Sequence, residues 1–300
     1  YHQMVNLATQ STRDDLIGWK KQQDIKALVK AYMTSHSIPA TYYTLHQGMQ
    51  YGSASTSVPC EYGIGPTLQM LNSQPTQWTN VPNWWKGDGI AANTGMLGSL
   101  PTLAEWSRVI AIEEKVMLIC CQIKKEASPA ANGYPVVVGY RQGGFYSHAR
   151  IKYGTNGSIA ANIQSDNQVT VTITGPTLSS LPNEAINIFL LVDNTPTVKL
   201  ARMWWGPTDG TTVLTESTSA SLSTLDSISA VATGVPDPAL YKHAIGGIYN
   251  KTTPGMENVS DRSIRRVRTI KFDTAPLNIV DIIGGLKKAN LLDCAELLTI

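Results

Sequence analysis

Charged residues are scarce in this sequence. Asp, Glu, Lys and Arg make up 15% of its 300 residues, whereas globular proteins usually contain roughly 25%. The polar surface must therefore come from Ser, Thr, Asn and Gln, which suits β-rich folds and proteins whose faces are covered by other protein. The net charge is only +2. This excludes a bulk electrostatic footprint for nucleic acid, so any contact with phosphate would have to be local.

Cysteine is also rare, and its spacing matches no metal or redox motif. The four residues are Cys60, Cys120, Cys121 and Cys294. Cys120 and Cys121 lie together in an apolar run, where strand geometry points neighbouring side chains to opposite faces. We therefore expect buried free thiols that behave as small hydrophobic groups. Such thiols favour a reducing compartment or a fold that needs no disulfides.

Long apolar runs and a signal sequence are missing. No stretch approaches the roughly 20 apolar residues of a membrane helix, so we expect no membrane span. The first residues lack the basic and apolar regions of a secretory signal. The sequence begins at Tyr1 rather than at Met, which favours a product cut from a longer precursor.

Catalytic motifs are missing as well. The sequence contains no G-x-S-x-G, H-E-x-x-H or P-loop pattern, and its five histidines include no pair at metal-ligand spacing. Glu113 and Glu114 are interpreted as the end of a helix before a strand rather than as paired catalytic carboxylates. We predict that the chain is not an enzyme and has no cofactor or metal site. An enzyme with a dispersed site remains a minor alternative.

Two helices are indicated in the first half. After a polar arm at 1–10, an apolar stripe with the helical period predicts a helix over 12–33. A second helix is predicted over 102–113, because Thr102 and Glu105 have the spacing of a capping box and are followed by an apolar face that includes Trp106.

The rest of the chain has the pattern of β-structure. Strands are predicted at 115–123, 136–140, 145–153, 168–174, 185–193 and 197–205. Alternation is clearest in 168–174, where Val169, Val171 and Ile173 share one face and the three threonines share the other. Turn signals separate the strands, at Asn156-Gly157, Gly175-Pro176 and Gly206-Pro207. The fold class is mainly β: an antiparallel β-sandwich of jelly-roll type with flanking helices and long loops, one of them rich in Ser and Thr at 208–234. It forms one domain over 11–275, and 276–300 is a tail with a short strand, Gly284-Gly285 and a short helix.

Two tryptophan pairs precede Gly/Asp turns. They are Trp84-Trp85 in "NWWKGDG" and Trp204-Trp205 in "RMWWGPTDG". Trp204 and Trp205 end a predicted strand, so one ring faces the core and the other faces outward. The outward ring needs cover, either from a neighbouring subunit or from a ligand, because aromatic residues are enriched at interface cores. Both possibilities remain open, and packing is favoured.

A basic run follows in "DRSIRRVRTIKF". Its cations are Arg262, Arg265, Arg266, Arg268 and Lys271. Guanidinium groups match phosphate geometry, so the segment is a candidate contact for RNA. We favour a subunit contact, because Ile264, Val267 and Ile270 are interleaved with the cations and the net charge is small.

This layout resembles that of the major capsid proteins of picorna-like positive-strand RNA viruses. The shared features are the first residue Tyr1, the arm at 1–10, the strand-like runs from 115 to 205, the Ser/Thr-rich loop and the C-terminal tail. The resemblance implies a polyprotein cleavage product that self-assembles, with copies of itself and sister capsid proteins, into an icosahedral shell around viral RNA. It also implies assembly in the host cytoplasm, location in the virion and contact with a host receptor.

A different function class competes with the capsid hypothesis. The chain can also be a carbohydrate-binding or adhesin-type β-sandwich in which Trp84, Trp85, Trp204 and Trp205 are stacking surfaces. Free cysteines weigh against a secreted lectin.

Overall fold

The structure is a computed structural model. It describes residues 27, 31, 34–35, 43–46, 57–58, 60, 62–63, 65–70, 85–86, 96–124, 133–141, 148–154, 156–165, 168–178, 185–208, 212–225, 228, 237–238, 241–249, 256–257 and 263–295. The arm predicted at 1–10 lies outside these residues. So does most of the helix predicted over 12–33, in which Ala27 and Ala31 are described and helical. The domain boundaries stay a prediction.

Short strands and one short helix occupy the first part of the described chain. They are β1 (Tyr43–His46), β2 (Ser57–Val58), β3 (Tyr62–Gly63), β4 (Leu68–Met70), β5 (Trp85–Lys86), β6 (Met96–Gly98) and α1 (Leu103–Val109). Longer strands follow. They are β7 (Val116–Lys124), β8 (Gly133–Arg141), β9 (His148–Tyr153), β10 (Ser158–Gln164), β11 (Thr170–Thr177), β12 (Ala185–Asp193) and β13 (Leu200–Pro207). The last elements are β14 (Thr215–Glu216), β15 (Ala220–Ser221), β16 (Tyr241–Ile245), β17 (Ile248–Tyr249), β18 (Met256–Glu257), β19 (Ser263–Phe272) and α2 (Ile279–Ala295).

The described strands form two large antiparallel sheets and one small pair. The order in the nine-stranded sheet is β14-β13-β12-β7-β19-β1-β3, with β15 beside β13 and β5 beside β19. The order in the eight-stranded sheet is β11-β10-β9-β8-β16-β6-β4-β2, and β17 pairs with β18. Between β7 and β19 the chain passes repeatedly from one large sheet to the other. The predicted mainly β, antiparallel sandwich is confirmed.

The main core lies between the two large sheets. Alternate residues of β7, including Met117, Ile119 and Cys121, face residues of the other sheet such as Ile151 and Ile163. The opposite face of β7 carries Val116, Leu118 and Cys120, which form a second apolar cluster with α2. One strand therefore serves both cores, which explains why it is apolar on both faces.

The C-terminal helix corrects a prediction. Residues 279–283, predicted as a short strand, begin a helix that continues through Gly284 and Gly285 to Ala295. Its buried residues are Ile279, Ile282, Ile283 and Leu286. These positions have the i, i+3, i+4, i+7 spacing of a helical stripe, so the apolar surface of the sheet selects the helix.

Other predictions differ from the structure in the ends of elements, in one turn and in strands that were not predicted. Helix α1 ends at Val109, four residues before the predicted end at 113. The Gly175-Pro176 turn is instead part of β11, which tolerates proline because it is an edge strand. The strands β10, β16 and β19 were not predicted. The alternation in β11 is confirmed, with Ile173 in the core and Thr172 exposed.

No helix among the described residues is long and apolar enough to cross a membrane.

We expect Gly157→Ala to destabilise the fold by about 1–3 kcal/mol. Gly157 has φ +82°, and an added Cβ would lie 2.9 Å from the carbonyl oxygen of Leu178. Gly284→Ala is the matched control, because its Cβ would meet nothing within 4 Å and alanine stabilises helix interiors by about 0.5–1 kcal/mol. Urea unfolding of both variants measures the difference. Equal effects on the free energy of unfolding would contradict this account of the turn.

Candidate functional site

The basic run forms the buried strand β19. Arg265, Arg266, Arg268 and Lys271 are between 0% and 6% exposed, and Arg262 lies outside the described residues. The chain itself therefore encloses four of the five cations that were predicted to contact a subunit or RNA. That contact stays a prediction, and no exposed surface at these residues supports it.

A β-bulge explains why adjacent cations share one environment. Register between β19 and β7 shifts between Arg265 and Arg268, and Arg266 adopts φ +52°. The extra residue places both Ile264 and Val267 in the main core, although three positions separate them. On the opposite face, Arg265 and Arg266 meet the same partner.

That partner is the buried side chain of Gln122. Its Oε1 accepts hydrogen bonds from Arg265 Nε at 2.5 Å and from Arg266 at 3.0 Å. Its Nε2 donates to Asn187 Oδ1 at 2.7 Å, and Asn187 Nδ2 donates to the carbonyl of Pro207 at 3.1 Å. The network crosses four neighbouring strands of the nine-stranded sheet, β19, β7, β12 and β13. It stabilises the sheet and presents no surface for a ligand.

Burial makes the thiols of Cys120 and Cys121 unreactive. Burial raises the pKa of Cys120 to about 12, and the nearby Arg268 offsets only part of this increase. Burial also raises the pKa of Cys121, with a further contribution from Cys120. Both thiols therefore stay protonated near neutral pH, as free buried cysteines do. Cys60 is half-buried and forms no disulfide with another described cysteine.

The tryptophan pair at the end of β13 packs within the chain. Trp204 is 4% exposed, lies in the second apolar cluster, and has the Arg202 guanidinium 5.2 Å from its ring centroid. Trp205 faces the main core and is partly buried. Of the other pair, Trp84 lies outside the described residues, and only the backbone of Trp85 is described, opposite Ile264. The role of these rings in binding a subunit or ligand stays a prediction.

A polar cleft of about 300 Å³ lies beside α1. The residues that line it are Ala104, Ser107, Arg108, Glu113, Lys115, Lys271 and Asp273. Three of these side chains are basic and two are acidic. We call this site the charged cleft.

Helix α1 supplies one wall of the charged cleft. Ala104, Ser107 and Arg108 lie on one helical face because they are three and four positions apart. The opposite face carries Trp106, which is fully buried with its ring 5.9 Å from that of Tyr241. Thr102 caps the helix by accepting a hydrogen bond from the Glu105 backbone at 3.2 Å, as the sequence predicted. Core packing and the cap thus fix the direction of this wall.

The turn that follows α1 supplies the central carboxylate. Glu113 adopts φ +51°, which is unfavourable for a residue with a Cβ. Its backbone nitrogen donates to the Ile228 carbonyl at 2.7 Å, and its own carbonyl accepts from Asn194 Nδ2. Its Oε1 accepts from the Ser107 hydroxyl at 2.5 Å. Several contacts therefore hold the strained turn that aims this carboxylate into the cleft.

The cations of the cleft differ in how they are compensated. Lys271 Nζ donates to the Ser107 carbonyl and lies 3.8 Å from Glu113 Oε2. Burial lowers the pKa of Lys271, and its ion pair with Glu113 only partly opposes that shift. Lys115 pairs with Asp273 at 3.1 Å in an exposed position. Arg108 is exposed and makes no hydrogen bond or ion pair with another described residue.

Comparisons with known proteins place the fold. No family model and no curated protein matches the sequence. Among solved structures, the binding domain of botulinum neurotoxin serotype D matches with a TM-score of 0.54 and 13% identity, over 85% of this chain and 52% of that one. The same domain in complex with N-acetylneuraminic acid matches with a TM-score of 0.52 and 13% identity, over 84% and 52%.

The chain shares its fold with these binding domains. It spans about half of their length, and at 13% identity the similarity concerns the fold alone.

The capsid hypothesis is therefore wrong. The similar solved structures are toxin binding domains rather than capsid proteins, so the shell function, the capsid partners and the viral assignment fall together. The physical reason is that the supporting features were not specific. Loops, a tail and several strands occur in any large β-sandwich, and within the chain itself β19 and Trp204 are buried.

The charged cleft was not predicted from the sequence. Its residues come from α1, the turn after it and the end of β19, which are separated by more than 150 positions of chain. Glu113 was interpreted as a helix end. The sequence does contain one signal for this turn. The helix is predicted to end at 113 and the next strand to begin at 115, and so short a link requires a sharp turn.

Proposed function

We propose that the chain is a glycan-binding β-sandwich domain whose charged cleft takes an acidic sugar. The observation that carries this proposal is Arg108, an exposed guanidinium at a cleft whose other two cations are already paired. A guanidinium binds a carboxylate through two parallel hydrogen bonds. The solved complex of a similar fold with N-acetylneuraminic acid, a sugar with a carboxylate, supports this choice of ligand.

The other residues of the charged cleft suit a polyhydroxylated ligand. Ser107, Glu113 and Asp273 offer hydroxyl and carboxylate oxygens, which accept hydrogen bonds from sugar hydroxyls. Lys115 can donate to a ligand after its exposed pair with Asp273 rearranges, because such pairs contribute only about 0–1 kcal/mol. A volume of about 300 Å³ is at the small end for ligand pockets and fits one sugar ring. We further propose that the cleft binds without catalysing a reaction.

In this proposal Trp204 does not stack on the sugar, unlike in the carbohydrate-binding hypothesis drawn from the sequence. Trp204 leaves only 4% of its surface exposed, too little for a sugar ring to cover. Recognition in this proposal is polar and ionic. It therefore weakens with salt, because the Arg108 side chain is exposed.

The test is a titration of the purified chain with N-acetylneuraminic acid, followed by calorimetry or NMR. Arg108→Gln removes the charge and is expected to lower the affinity by about tenfold or more, because a hydrogen bond to a charged group contributes about 1.5–3 kcal/mol. Arg202→Gln is the matched control, since that arginine lies on β13, does not line the cleft, and pairs with Glu216 at 3.2 Å.

A neutral sugar distinguishes recognition of the carboxylate from nonspecific binding. N-acetylglucosamine is expected to bind weakly, with the same affinity in the wild type and in Arg108→Gln. Saturable binding of the acidic sugar that Arg108→Gln leaves unchanged would refute the assignment of the cleft. Release of sugar from a glycoside by the wild-type chain would refute the non-catalytic role.

A further inference from the structure

The outer face of three neighbouring strands forms a regular polar surface. In β9, β10 and β11 the residues Ala149, Ile163 and Ile173 face the main core. The alternate positions face away from it. From β11 these are Thr170, Thr172 and Thr174, which are all exposed.

The neighbouring strands continue the same rows across the sheet. Thr172 lies opposite Asn162, and Asn162 lies opposite Arg150. One row away, Ala160 lies opposite Lys152, and on the other side Thr170 lies opposite Gln164. With a rise of ~3.3 Å per residue and ~4.8 Å between strands, these rows cover about 13 Å by 10 Å. We call this surface the threonine face.

The charge of the threonine face has one sign. Arg150 and Lys152 are its cations, and β9, β10 and β11 contain no Asp or Glu. The Arg150 guanidinium lies 4.5 Å from the centre of the Tyr134 ring. Its buried Nε has no hydrogen-bond partner among the described residues. Burial also lowers the pKa of Arg150. A half-buried cation without a carboxylate is costly unless an anion compensates it.

We propose that the threonine face is a second ligand-binding surface, which takes an acidic polysaccharide lying flat across β9, β10 and β11. Sugar carboxylates or sulfates would meet Arg150 and Lys152. Sugar hydroxyls would meet the exposed threonine hydroxyls and the amide of Gln164. Asn162 is 8% exposed and donates from its Nδ2 to Thr172 Oγ1 at 2.7 Å, so it orients that hydroxyl. This inference rests on the proposed glycan binding for its ligand class, but it shares no residue with the charged cleft.

The observations favour a glycan over a nucleic acid. Nucleic acids are bound by several phosphate contacts and by exposed aromatic rings on which bases stack. The threonine face offers two cations, and Arg150 covers the one ring described near it. Its hydroxyl and amide groups form hydrogen bonds in either direction, as sugar hydroxyls require.

Two substitutions on exposed or partly exposed positions test the threonine face. Thr170→Glu places a negative charge on the exposed edge, and Lys152→Glu reverses a cation. Each is expected to weaken binding of polygalacturonate or heparin by about tenfold at low ionic strength, since like charges repel across an interface. Val213→Glu is the matched control, because Val213 is 88% exposed beside the other sheet and receives the same charge. It is expected to bind as the wild type does.

Competition with oligothymidylate distinguishes the two kinds of polyanion. Equal competition by oligothymidylate, an equal loss in Val213→Glu, or no binding of either polysaccharide by the wild type would overturn the proposal. Thermal unfolding of each variant shows that the fold is kept.

The cleft variant separates this inference from the proposed function. Arg108→Gln is expected to lose N-acetylneuraminic acid and to keep the polysaccharide. If the single sugar fails to bind while Thr170→Glu still weakens polysaccharide binding, then the cleft is wrongly assigned and the threonine face stands. If Thr170→Glu and Lys152→Glu bind the polysaccharide as tightly as the wild type, the threonine face is wrongly assigned, whatever the cleft does.

Discussion

Replacing Gln122 by Leu is expected to lower the free energy of unfolding by about 3 kcal/mol or more. Gln122 Oε1 accepts hydrogen bonds from both Arg265 and Arg266, and the three side chains are buried. Leu has a similar size but no acceptor. Two guanidinium groups would each lose a hydrogen bond inside the protein, where desolvated charge is most costly. Urea unfolding monitored by tryptophan fluorescence measures the change.

Gln122→Glu is the control for this prediction. It keeps an acceptor for both arginines and adds a negative charge, but it loses the donor to Asn187 Oδ1. We expect it to cost clearly less than Gln122→Leu. Equal destabilisation by the two substitutions would mean that packing around Gln122, and not the hydrogen-bond acceptor shared by the two arginines, stabilises the fold.

Trp106→Ala is expected to have the second large effect, a loss of about 3–5 kcal/mol. Trp106 is fully buried in the main core and its ring contacts that of Tyr241. Together with Val109 it anchors α1, a helix of only 7 residues. The substitution opens a cavity under the helix that carries Ser107 and Arg108. We therefore expect the variant, where it still folds, to bind the acidic sugar more weakly than the wild type does.

Trp106→Phe distinguishes volume from hydrogen bonding. The indole Nε1 is buried and has no hydrogen-bond partner among the described residues. The phenyl ring therefore loses volume but no hydrogen bond, and we expect a cost under ~2 kcal/mol with sugar binding largely kept. A loss as large as that of Trp106→Ala would show that the indole nitrogen has a partner that matters.

Local sequence patterns predicted the regular secondary structure in part of the fold. In β11 alternation predicted that Ile173 and Thr172 lie on opposite faces, and the structure confirms it, with Ile173 buried and Thr172 exposed. The capping-box spacing located the start of α1 at Thr102. Both patterns depend on residues that are only a few positions apart, so they do not require contacts with distant parts of the chain.

Segments with a mixed pattern were predicted poorly. In β19 the apolar residues Ile264 and Val267 are three positions apart, so the alternation of a strand was not recognised, and its four cations suggested an exposed segment. The bulge restores the pattern. It forms because β7 offers a matching apolar row and because Gln122 accepts from both arginines. Neither condition is visible in the local sequence.

The sequence by itself determined the class of fold, the positions of β7, β8, β9, β11, β12 and β13, and the burial of Cys120 and Cys121, because periodicity and turn residues act over short distances. Only the tertiary structure decided which cations are buried, since a guanidinium enters the interior only where an acceptor such as Gln122 is already in place. The charged cleft was decided in the same way. Arg108, Glu113 and Lys271 line one cleft only because α1 packs on the core and hydrogen bonds hold the turn that directs Glu113 into the cleft.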